Sequence, residues 1–241
     1  MPIRTSVFPC WNPPGWYMRD EQTYLRDMLD HLRGKFIVLD GNEGCGKSTQ
    51  SEMLRAALAS AGLDVLAVRD PGSTRIGEQI RAVLLNPDHG EMSMRCEMLL
   101  YMAARAQMMA ELILPALKEG KTVVCDRFVS STLAYQLGGD GLTAADIRAT
   151  ADVAISGRWP DLTILLDMPP DKSLARVKRA KDRIEQRPLE YHEQVRRNYL
   201  AQAEADPIRY RLISADRSRE EVHQDILSAV ASLATMAPAP A

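Results

Sequence analysis

The sequence predicts an α/β fold in which a parallel five-stranded sheet is covered by helices on both faces. Five apolar, β-rich runs alternate along the chain with segments of helical pattern. The apolar runs are continuous rather than alternating with polar residues, which is typical of strands buried on both faces of a parallel sheet. A glycine-rich sequence from Gly41 to Ser48 joins the first run to a helix, which is the context a phosphate-binding loop needs.

The predicted strands and helices follow one another in a regular order. The strands lie at 36–40, 64–68, 121–125, 162–167 and 209–213. The helices lie at 47–61, 74–85, 93–118, 129–137, 143–156, 171–180, 187–204 and 218–233. Two helices begin with a capping-box pattern, Thr143-x-x-Asp146 and Ser218-x-x-Glu221. In folds of this class ligands bind beyond the carboxyl ends of the strands, so the site is expected at that edge of the sheet.

Residues 34–234 form one predicted domain, flanked by two segments of different composition. Residues 1–33 are predicted to be an N-terminal extension, because Met1 to Tyr17 holds four prolines and two tryptophans without periodicity. This extension is a flexible or surface-packed segment, the product of an upstream start codon, or an arm that binds a partner. Residues 235–241 are rich in proline and alanine and are expected to form a disordered tail.

Composition narrows the class of function. The 241-residue chain has a net charge of −2, which argues against a nucleic-acid polymer as its main partner. Its four cysteines show no spacing typical of a zinc site or a disulfide framework. The sequence has no run of 18 apolar residues and no apolar N-terminal signal region, so we expect a cytoplasmic protein without a membrane partner.

The phosphate-binding loop has the form G-x-x-x-x-G-K-S. Its glycines allow positive φ, so that backbone N–H groups approach phosphate oxygens, and the following helix directs its positive dipole end at the same anion. Lys47 is expected to reach the β- and γ-phosphates, and the Ser48 hydroxyl is expected to ligate Mg²⁺. The residues predicted to bind the triphosphate are Gly41, Asn42, Glu43, Gly44, Cys45, Gly46, Lys47, Ser48 and Thr49.

Two charged residues stand where the local pattern favours neutral ones. Glu43 would repel a triphosphate if it pointed into the loop, so it either points toward a second substrate or is a solvated loop charge. Arg105 lies in an apolar stripe of predicted helix 93–118, four residues after Tyr101. An arginine there is costly unless its charge is paired. Tyr101 and Arg105 either bind a base together, or Arg105 forms a structural ion pair.

Strand ends and a basic run supply the remaining candidates. Asp126 and Arg127 follow the third predicted strand, where an aspartate can hold Mg²⁺ and an arginine can bind a phosphate. A strand-end aspartate is equally often a helix cap. Residues 176–183 include five basic side chains. This run is either a solvated helical face or a mobile lid that closes over the triphosphate and excludes water.

Taken together, these segments resemble the thymidylate kinase (dTMP kinase) family from about Lys35 to Val230. Beside the phosphate loop with its acidic insert, several motifs in the order typical of the family carry the resemblance. They are Asp70-Pro-Gly-Ser-Thr74, Ile80-Arg81, Leu100-Tyr-Met-Ala-Ala-Arg-Ala-Gln107, Pro115-Ala-Leu-Lys-Glu-Gly-Lys121, Cys125-Asp-Arg127, Ser130-Ser-Thr-Leu-Ala-Tyr-Gln136, Pro160-Asp-Leu-Thr-Ile-Leu-Leu-Asp167 and Asp182-Arg-Ile-Glu-Gln186. The resemblance implies the three-layer fold of P-loop nucleoside monophosphate kinases and phosphoryl transfer from ATP, with Mg²⁺, to dTMP.

The resemblance also implies the residues that bind the acceptor. Glu43 would meet the 3′-hydroxyl of dTMP, and Arg127 would bind its phosphate. Tyr101 would stack on thymine, while Arg105 and Gln136 would hydrogen-bond the edge of the base. The full set implied for dTMP is Glu43, Arg69, Arg81, Tyr101, Arg105, Arg127, Ser131, Thr132, Tyr135 and Gln136.

Catalysis is expected to depend on charge neutralisation by Lys47 and Arg127. Gly44 occupies the position where some family members carry a loop arginine. The resemblance therefore implies a bacterial-type enzyme whose catalytic arginine comes from the lid, residues about 176–187, with Arg179 and Arg183 as candidates. The metal would be held by Ser48, Asp126 and Glu185.

The chain departs from the family pattern in two places within the domain. The usual Glu-Pro-Gly-Gly is Asp70-Pro71-Gly72-Ser73 here, and the lid is about two residues shorter than is usual for the bacterial type. Because these changes leave room for another acceptor, a P-loop kinase for a different nucleotide or nucleoside is an alternative, as is a non-catalytic ATP-binding relative. The resemblance further implies a homodimer that forms through helices 93–118 and 143–156.

Overall fold

The computed structural model describes residues 29–235. Most of the predicted N-terminal extension (residues 1–28) and of the predicted tail (residues 236–241) lies outside these described residues. Residues 29–32 form a helical turn, and Leu29 and Leu32 pack against one of the two main hydrophobic clusters. The Leu32 carbonyl accepts a hydrogen bond of 2.8 Å from the Thr122 hydroxyl, which joins this turn to the start of a central strand.

The five predicted strands form one parallel sheet. Its order is β2-β3-β1-β4-β5, and every neighbouring pair is parallel, which confirms the predicted fold class. Strands β2, β3 and β5 each begin and end one residue later than predicted. The strands are β1 (Phe36–Gly41), β2 (Val65–Arg69), β3 (Thr122–Asp126), β4 (Leu162–Asp167) and β5 (Tyr210–Ser214).

Helices connect the strands and cover both faces of the sheet. Both predicted capping boxes form, at Thr143 with Asp146 and at Ser218 with Glu221. Within residues 29–235 there is no helix whose length and apolar character would let it cross a membrane. The α-helices are α1 (Lys47–Ser60), α2 (Arg75–Leu85), α3 (Met94–Met108), α4 (Leu114–Lys118), α5 (Val129–Tyr135), α6 (Ala144–Ile155), α7 (Pro170–Ala175), α8 (Leu189–Ala205) and α9 (Arg219–Thr235).

Two predicted helices differ from the structure. The predicted helix 93–118 is divided by a π-helical turn, Met109–Ile113, between α3 and α4. Pro115 explains the break, because it has no N–H to donate to residue 111 and its ring crowds that carbonyl. The predicted helix 171–180 ends at Ala175, and residues 176–188 contain no regular helix. Basic side chains three and four residues apart repel one another on a helix, which disfavours its continuation.

The two faces of β1 divide the hydrophobic core into two layers. Ile37 and Leu39 point into the layer that α1 and α9 cover. Phe36 and Val38 point into the layer covered by α3 and α6. All four side chains are fully buried. The central strand is therefore fixed from both sides, and so is the phosphate loop that begins at its carboxyl end.

Candidate active site

The phosphate loop connects β1 to α1 at the carboxyl edge of the sheet. Gly44 and Gly46 have φ values of 72° and 99°, in a region that favours glycine. A Cβ atom at Gly44 would lie 2.0 Å from the carbonyl oxygen of Ser173, so only glycine lets the loop approach α7 this closely. Gly46 is the N-cap of α1, whose unpaired N–H groups therefore face the loop.

Lys47 places its ammonium inside the curve of the loop. This first residue of α1 is 6% exposed, and its Nζ donates a hydrogen bond of 2.6 Å to the Asn42 carbonyl. The Cys45 sulfur lies 3.7 Å from the same Nζ. Burial raises the pKa of the Cys45 thiol, which keeps it protonated beside the lysine. The charge inside the curve of the loop is thus positive, as a phosphate site requires.

Ser48 and Asp126 form the part of the site that can hold a metal ion. The Ser48 hydroxyl donates to Asp126 Oδ2 at 2.5 Å, so the first turn of α1 meets the end of β3. Hard oxygen donors of this kind fit Mg²⁺, which usually keeps several waters and binds substrate phosphates. Within residues 29–235 there is no cluster of three or more His, Cys, Asp or Glu side chains that could hold a metal. A metal here would therefore be shared with phosphate oxygens.

Two cavities meet at this edge of the sheet. The larger, about 500 Å³, runs along the phosphate loop, and the smaller, about 80 Å³, lies between α3, α5 and the lid. Nine of the ten residues predicted to bind dTMP line the smaller cavity, and the tenth, Arg69, lines the larger. The residues that line both cavities, called the shared wall below, are Glu43, Asp70, Arg81, Arg127 and Arg179.

Arg127 lies in the shared wall and is paired with a carboxylate of the loop. It follows β3 with φ 70°, a strained conformation that is fixed by a hydrogen bond of 2.9 Å from its N–H to the Leu39 carbonyl. Its Nη2 donates to Glu43 Oε1 at 2.6 Å. Burial would raise the pKa of Glu43, but the charges of Arg127 and Lys47 outweigh burial and lower the pKa to about 2. Glu43 is therefore anionic and faces Arg127.

Asp40 supports Arg127 from behind, and sequence reasoning missed it. This residue of β1 is fully buried, and its Oδ1 lies 3.3 Å from Arg127 Nη1. It also accepts hydrogen bonds from Ser130 (2.6 Å), Ser131 (2.8 Å) and Tyr199 (2.7 Å). A carboxylate inside an apolar strand, next to the loop, was the available signal. Three elements thus fix the orientation of one guanidinium group.

Arg105 and Asp70 form a buried ion pair at the wall of the smaller cavity. Arg105 is 1% exposed, and its Nε and Nη2 lie 2.7 and 2.6 Å from the same atom, Asp70 Oδ2. Asp70 Oδ1 has no hydrogen-bond partner among residues 29–235. Burial raises the pKa of Asp70, and Arg105 opposes that shift. The two interpretations of Arg105 are therefore compatible, because it is both ion-paired and part of the cavity wall beside Tyr101.

Glu97 lies one helical turn before Tyr101 on α3, and sequence reasoning missed it as well. It is fully buried, and it accepts a hydrogen bond of 2.7 Å from Gln136 Nε2. Its other oxygen accepts from Arg183 Nη2 at 2.5 Å and from Arg187 Nη2 at 2.9 Å. The available signal was a glutamate four residues before Tyr101, on the helix face that carries the candidate base contacts.

The two lid arginines proposed as catalytic, Arg179 and Arg183, have different surroundings. Arg183 is 8% exposed and donates through Nε to the Leu84 carbonyl at 2.9 Å, as well as to Glu97, and it lines neither cavity. Arg179 lines both cavities and binds Glu185 through two hydrogen bonds of 2.8 and 2.7 Å. These bonds raise the pKa of the Arg179 guanidinium. The geometry favours Arg179 over Arg183 at the reacting group, and it places Glu185 beside Arg179.

The Asp70-Pro71-Gly72-Ser73 turn has an unusual residue at its end. Ser73 has φ 65°, in the left-handed region where glycine is unstrained. Its hydroxyl accepts a hydrogen bond of 2.8 Å from the Arg69 N–H, and its own N–H donates to Glu78 Oε1 at 2.8 Å. These contacts compensate for the strain, so serine at this position is compatible with the turn.

Known proteins are similar to this chain over most of its length. The family model described as thymidylate kinase matches residues 39–226. The chain belongs to the thymidylate kinase family. It is 47% identical over 201 residues to the thymidylate kinase of Pelotomaculum thermopropionicum, a match that covers 82% of this chain and 93% of that protein. The thymidylate kinase of Cutibacterium acnes is 42% identical over 202 residues, with coverage of 84% and 98%.

Solved structures give the same family. The crystal structure of thymidylate kinase from Ehrlichia chaffeensis matches with a TM-score of 0.66 and 27% sequence identity. The match covers 81% of this chain and 97% of that chain. Family membership and the five-stranded parallel fold of thymidylate kinases, both predicted from the sequence, are thus confirmed.

Proposed function

We propose that this protein transfers a phosphoryl group from ATP to dTMP and gives ADP and dTDP. The observation that carries the proposal is the shared wall between the two cavities. It includes three arginines, Arg81, Arg127 and Arg179, at the junction of the phosphate loop and the smaller cavity. Cationic groups at such a junction stabilise the charge that spreads over a phosphoryl group in transfer. A protein that only binds ATP has no need of a second cavity joined to the first.

The donor side holds the triphosphate through the loop. Backbone N–H groups at the start of α1 and the Lys47 ammonium bind the β- and γ-phosphates. Ser48 and Asp126 would hold Mg²⁺, which neutralises phosphate charge when it is bound. Asp126 and the loop belong to neighbouring central strands, so their separation is set by the sheet register, in which Leu39 pairs with Asp126. The γ-phosphate is thereby directed toward the shared wall.

The acceptor side orients dTMP by side chains. Arg127 binds the 5′-phosphate, and Glu43 accepts from the 3′-hydroxyl. The base lies against Tyr101, with Arg105 and Gln136 at its edge. The acceptor phosphate has a second pKa near ~6, so it is already largely dianionic at neutral pH and no general base is needed. Catalysis is then positioning and charge neutralisation, with Arg179 as the lid arginine.

A coupled assay of ADP formation tests this proposal. The unmodified protein is given ATP and Mg²⁺ with dTMP, dUMP, dGMP, AMP or thymidine, and the nucleotide product is identified by chromatography. We expect the highest kcat/KM with dTMP, with dTDP as the product. Equal or better turnover of another acceptor would favour a different P-loop kinase. ATP binding without any dTDP would favour a non-catalytic relative.

We also propose that two copies of the chain associate. The observation is a pair of exposed apolar side chains, Leu99 on α3 and Val153 on α6, which are 51% and 84% exposed on helices that pack side by side. Large apolar side chains on neighbouring helices are typical of protein interfaces. Sedimentation equilibrium is expected to give twice the mass of one chain, and a mass of one chain at micromolar concentration would contradict this.

A further inference from the structure

We propose that Glu97 is a positioning residue. One oxygen of its carboxylate orients the Gln136 amide toward the base, and the other holds Arg183 and Arg187 of the lid. This inference rests on the proposed function and extends it to the choice of base. It attributes the discrimination between thymine or uracil, which carry an N–H at ring position 3, and cytosine to the carboxylate of Glu97. It also links that preference to the placement of the lid.

The orientation of the Gln136 amide follows from the chemistry of its partner. An ionised carboxylate can only accept hydrogen bonds, so it is the amide NH₂ that meets Glu97 Oε1, at 2.7 Å. The two terminal atoms of an amide lie on opposite sides of its carbon. The carbonyl oxygen of Gln136 is therefore the atom left for a ligand in the smaller cavity, which Gln136 lines. Both side chains are at most 1% exposed, so water does not compete for this contact.

An oxygen at this position discriminates between bases. Thymine and uracil present an N–H donor at position 3, which the Gln136 oxygen can accept. Cytosine presents an unprotonated nitrogen there, and two acceptors would face each other without a proton between them. A buried polar atom left unpaired is costly, so a site built in this way rejects the wrong partner strongly. If the amide were free to rotate, its NH₂ could serve cytosine equally well.

The second oxygen of Glu97 connects the same carboxylate to the lid. Arg183 and Arg187 both donate to Oε2, at 2.5 and 2.9 Å. Asp182 and Ile184, the neighbours of Arg183 in the sequence, line the smaller cavity. Arg187 also stacks on the Tyr191 ring, with its guanidinium carbon 4.5 Å from the ring centroid. The cavity wall and the base contact are thus held by opposite sides of one carboxylate.

The orientation of Gln136 and the contact with the lid both depend on which hydrogen-bonding groups the side chain at position 97 offers. A carboxylate offers acceptors on both sides, which suits one amide NH₂ and two guanidinium groups. A glutamine at this position would offer one acceptor and one donor. The donor would either face the arginines, where it finds no acceptor, or face Gln136 and allow that amide to turn over. Because the two guanidinium groups can only donate, the acceptor is expected to face them and the donor to face Gln136. The choice of base is then lost, and the lid is held by a neutral oxygen in place of a carboxylate.

The test is the variant Glu97→Gln, in which the measured quantity is the preference for dTMP over dCMP rather than the absolute rate. Dissociation constants for dTMP and dCMP are measured by isothermal titration calorimetry, and kcat and KM for both are measured in the coupled assay. We expect the preference for dTMP over dCMP to fall at least ~10-fold, because the amide is no longer fixed. A ratio within twofold of the unmodified protein overturns the inference, whatever the absolute activity.

A matched control separates positioning from loss of an ion pair. Asp167→Asn breaks another carboxylate–arginine contact, in which Arg196 donates to both Asp167 oxygens at 2.7 and 2.8 Å, and this contact lines neither of the two main cavities. We expect this control to lower the melting temperature and to leave the dTMP-to-dCMP ratio unchanged. A ratio that falls equally in both variants would mean a general structural effect and would overturn the inference.

Two further variants keep the test decisive. If Glu97→Gln shows no cooperative melting, Glu97→Asp is measured instead. It keeps the charge but withdraws the carboxylate, so the ratio is expected to fall ~3-fold or more, and an unchanged ratio overturns the inference.

Arg187→Met removes one lid contact and leaves the amide fixed, so it is expected to change kcat while the binding ratio stays unchanged. A ratio that falls tenfold here would overturn the assignment of the preference to the Gln136 amide.

The binding readout separates this inference from the proposed function. If the unmodified protein prefers dTMP in calorimetry but forms no dTDP, the proposed function fails and the ratio in Glu97→Gln still decides the role of Glu97. If dTDP is formed and Glu97→Gln keeps its preference, only the role of Glu97 fails. If the unmodified protein shows no preference for dTMP over dCMP, the inference fails directly.

Discussion

The donor and acceptor sides of this site are built in different ways. The donor side is one continuous segment, residues 41–48, in which backbone N–H groups and a single lysine form the binding surface. The acceptor side takes its side chains from the phosphate loop, the turn after β2, α2, α3, the residue after β3, α5 and the lid. Two of its arginines are paired with carboxylates, Arg105 with Asp70 and Arg127 with Glu43.

This difference indicates where preorganisation comes from. On the donor side it comes from backbone conformation, because glycine φ angles and the start of α1 place the N–H groups. On the acceptor side it comes from carboxylates, because Arg105, Arg127 and Arg179 are each paired with an acidic residue. Such pairs add little net stability, but removing one partner leaves a charge unpaired. Mutations on the two sides should therefore have different effects. On the donor side we expect mainly a loss of turnover, and on the acceptor side we also expect a loss of stability.

The largest expected effect is on the donor side. Lys47→Ala removes the ammonium that lies inside the curve of the loop, where it donates to the Asn42 carbonyl. We expect kcat to fall by about 10³-fold, since charge neutralisation at the transferring phosphoryl group is lost. The fold is expected to be intact, because the lysine is not part of a buried ion pair. Coupled-assay kinetics and thermal melting measure both quantities.

The control for this change lies at the other end of α1. Arg55→Ala breaks a surface pair with Glu52, at 2.6 Å, and is expected to leave kcat unchanged. Near-normal turnover in Lys47→Ala would contradict the assignment of the donor side. A large drop in the melting temperature of Lys47→Ala would contradict the proposed difference between the two sides. It would mean that the loop needs its lysine for stability, as the acceptor side needs its arginines.

Arg179 and Arg183 of the lid allow a catalytic and a structural role to be compared within the acceptor side. Arg179→Met removes a guanidinium that lines both cavities, and we expect kcat to fall by about 10²-fold or more. It also removes the arginine partner of the buried Glu185, so we expect a loss of stability as well. Arg183→Met leaves the fully buried Glu97 with one arginine partner, Arg187, in place of two, and we expect a loss of about 2 kcal/mol in the free energy of unfolding. Urea unfolding and steady-state kinetics on both variants distinguish the roles. The assignment is wrong if Arg183→Met lowers kcat more than Arg179→Met does.

The same contrast explains what the sequence could predict. The phosphate loop and the five strands depend on local patterns, namely glycine spacing and apolar runs, and both were predicted. Helix 93–118 was predicted as continuous because its apolar stripe is continuous, although Pro115 marked the break. Asp70 and Ser73 could be seen to depart from the family, but only the structure shows that Asp70 is paired with Arg105 and that Glu78 supports Ser73.

Side chains that support others were not predictable in the same way. Asp40 contacts Arg127, and Glu97 contacts Arg183, across 87 and 86 residues of sequence. The local pattern marks these acidic residues as unusual, but it does not show which distant side chain each of them contacts. The lid arginines likewise stand in one basic run, and only the contact with Glu97 separates Arg183 from Arg179. Pairing across the fold decides these roles, and it depends on packing rather than on spacing.

Glu43 provides the smallest and most specific test, because it belongs to the donor loop in sequence and to the acceptor side in its contacts. Its pKa in the folded protein is about 2, below the ordinary value of 4.5, since Arg127 and Lys47 outweigh the effect of burial. A carboxyl whose folded pKa is lowered stabilises the fold above its unfolded pKa and loses that contribution as the pH falls toward the folded pKa. The window for this effect is therefore pH 4.5 to 2.

The measurement compares the unmodified protein with Glu43→Gln in urea at pH 6.5 and pH 3.5. A single carboxyl with these pKa values loses about 1.4 kcal/mol of stabilisation between the two conditions, and the variant should lack that part of the pH dependence. Glu52→Gln serves as the control, because solvent screens its exposed pair with Arg55 and its curve should stay close to that of the unmodified protein. If Glu43→Gln and the unmodified protein lose stability in parallel on acidification, then Glu43 is not held by Arg127 and Lys47. The loop would in that case be independent of the acceptor side, and the shared wall would not couple the two.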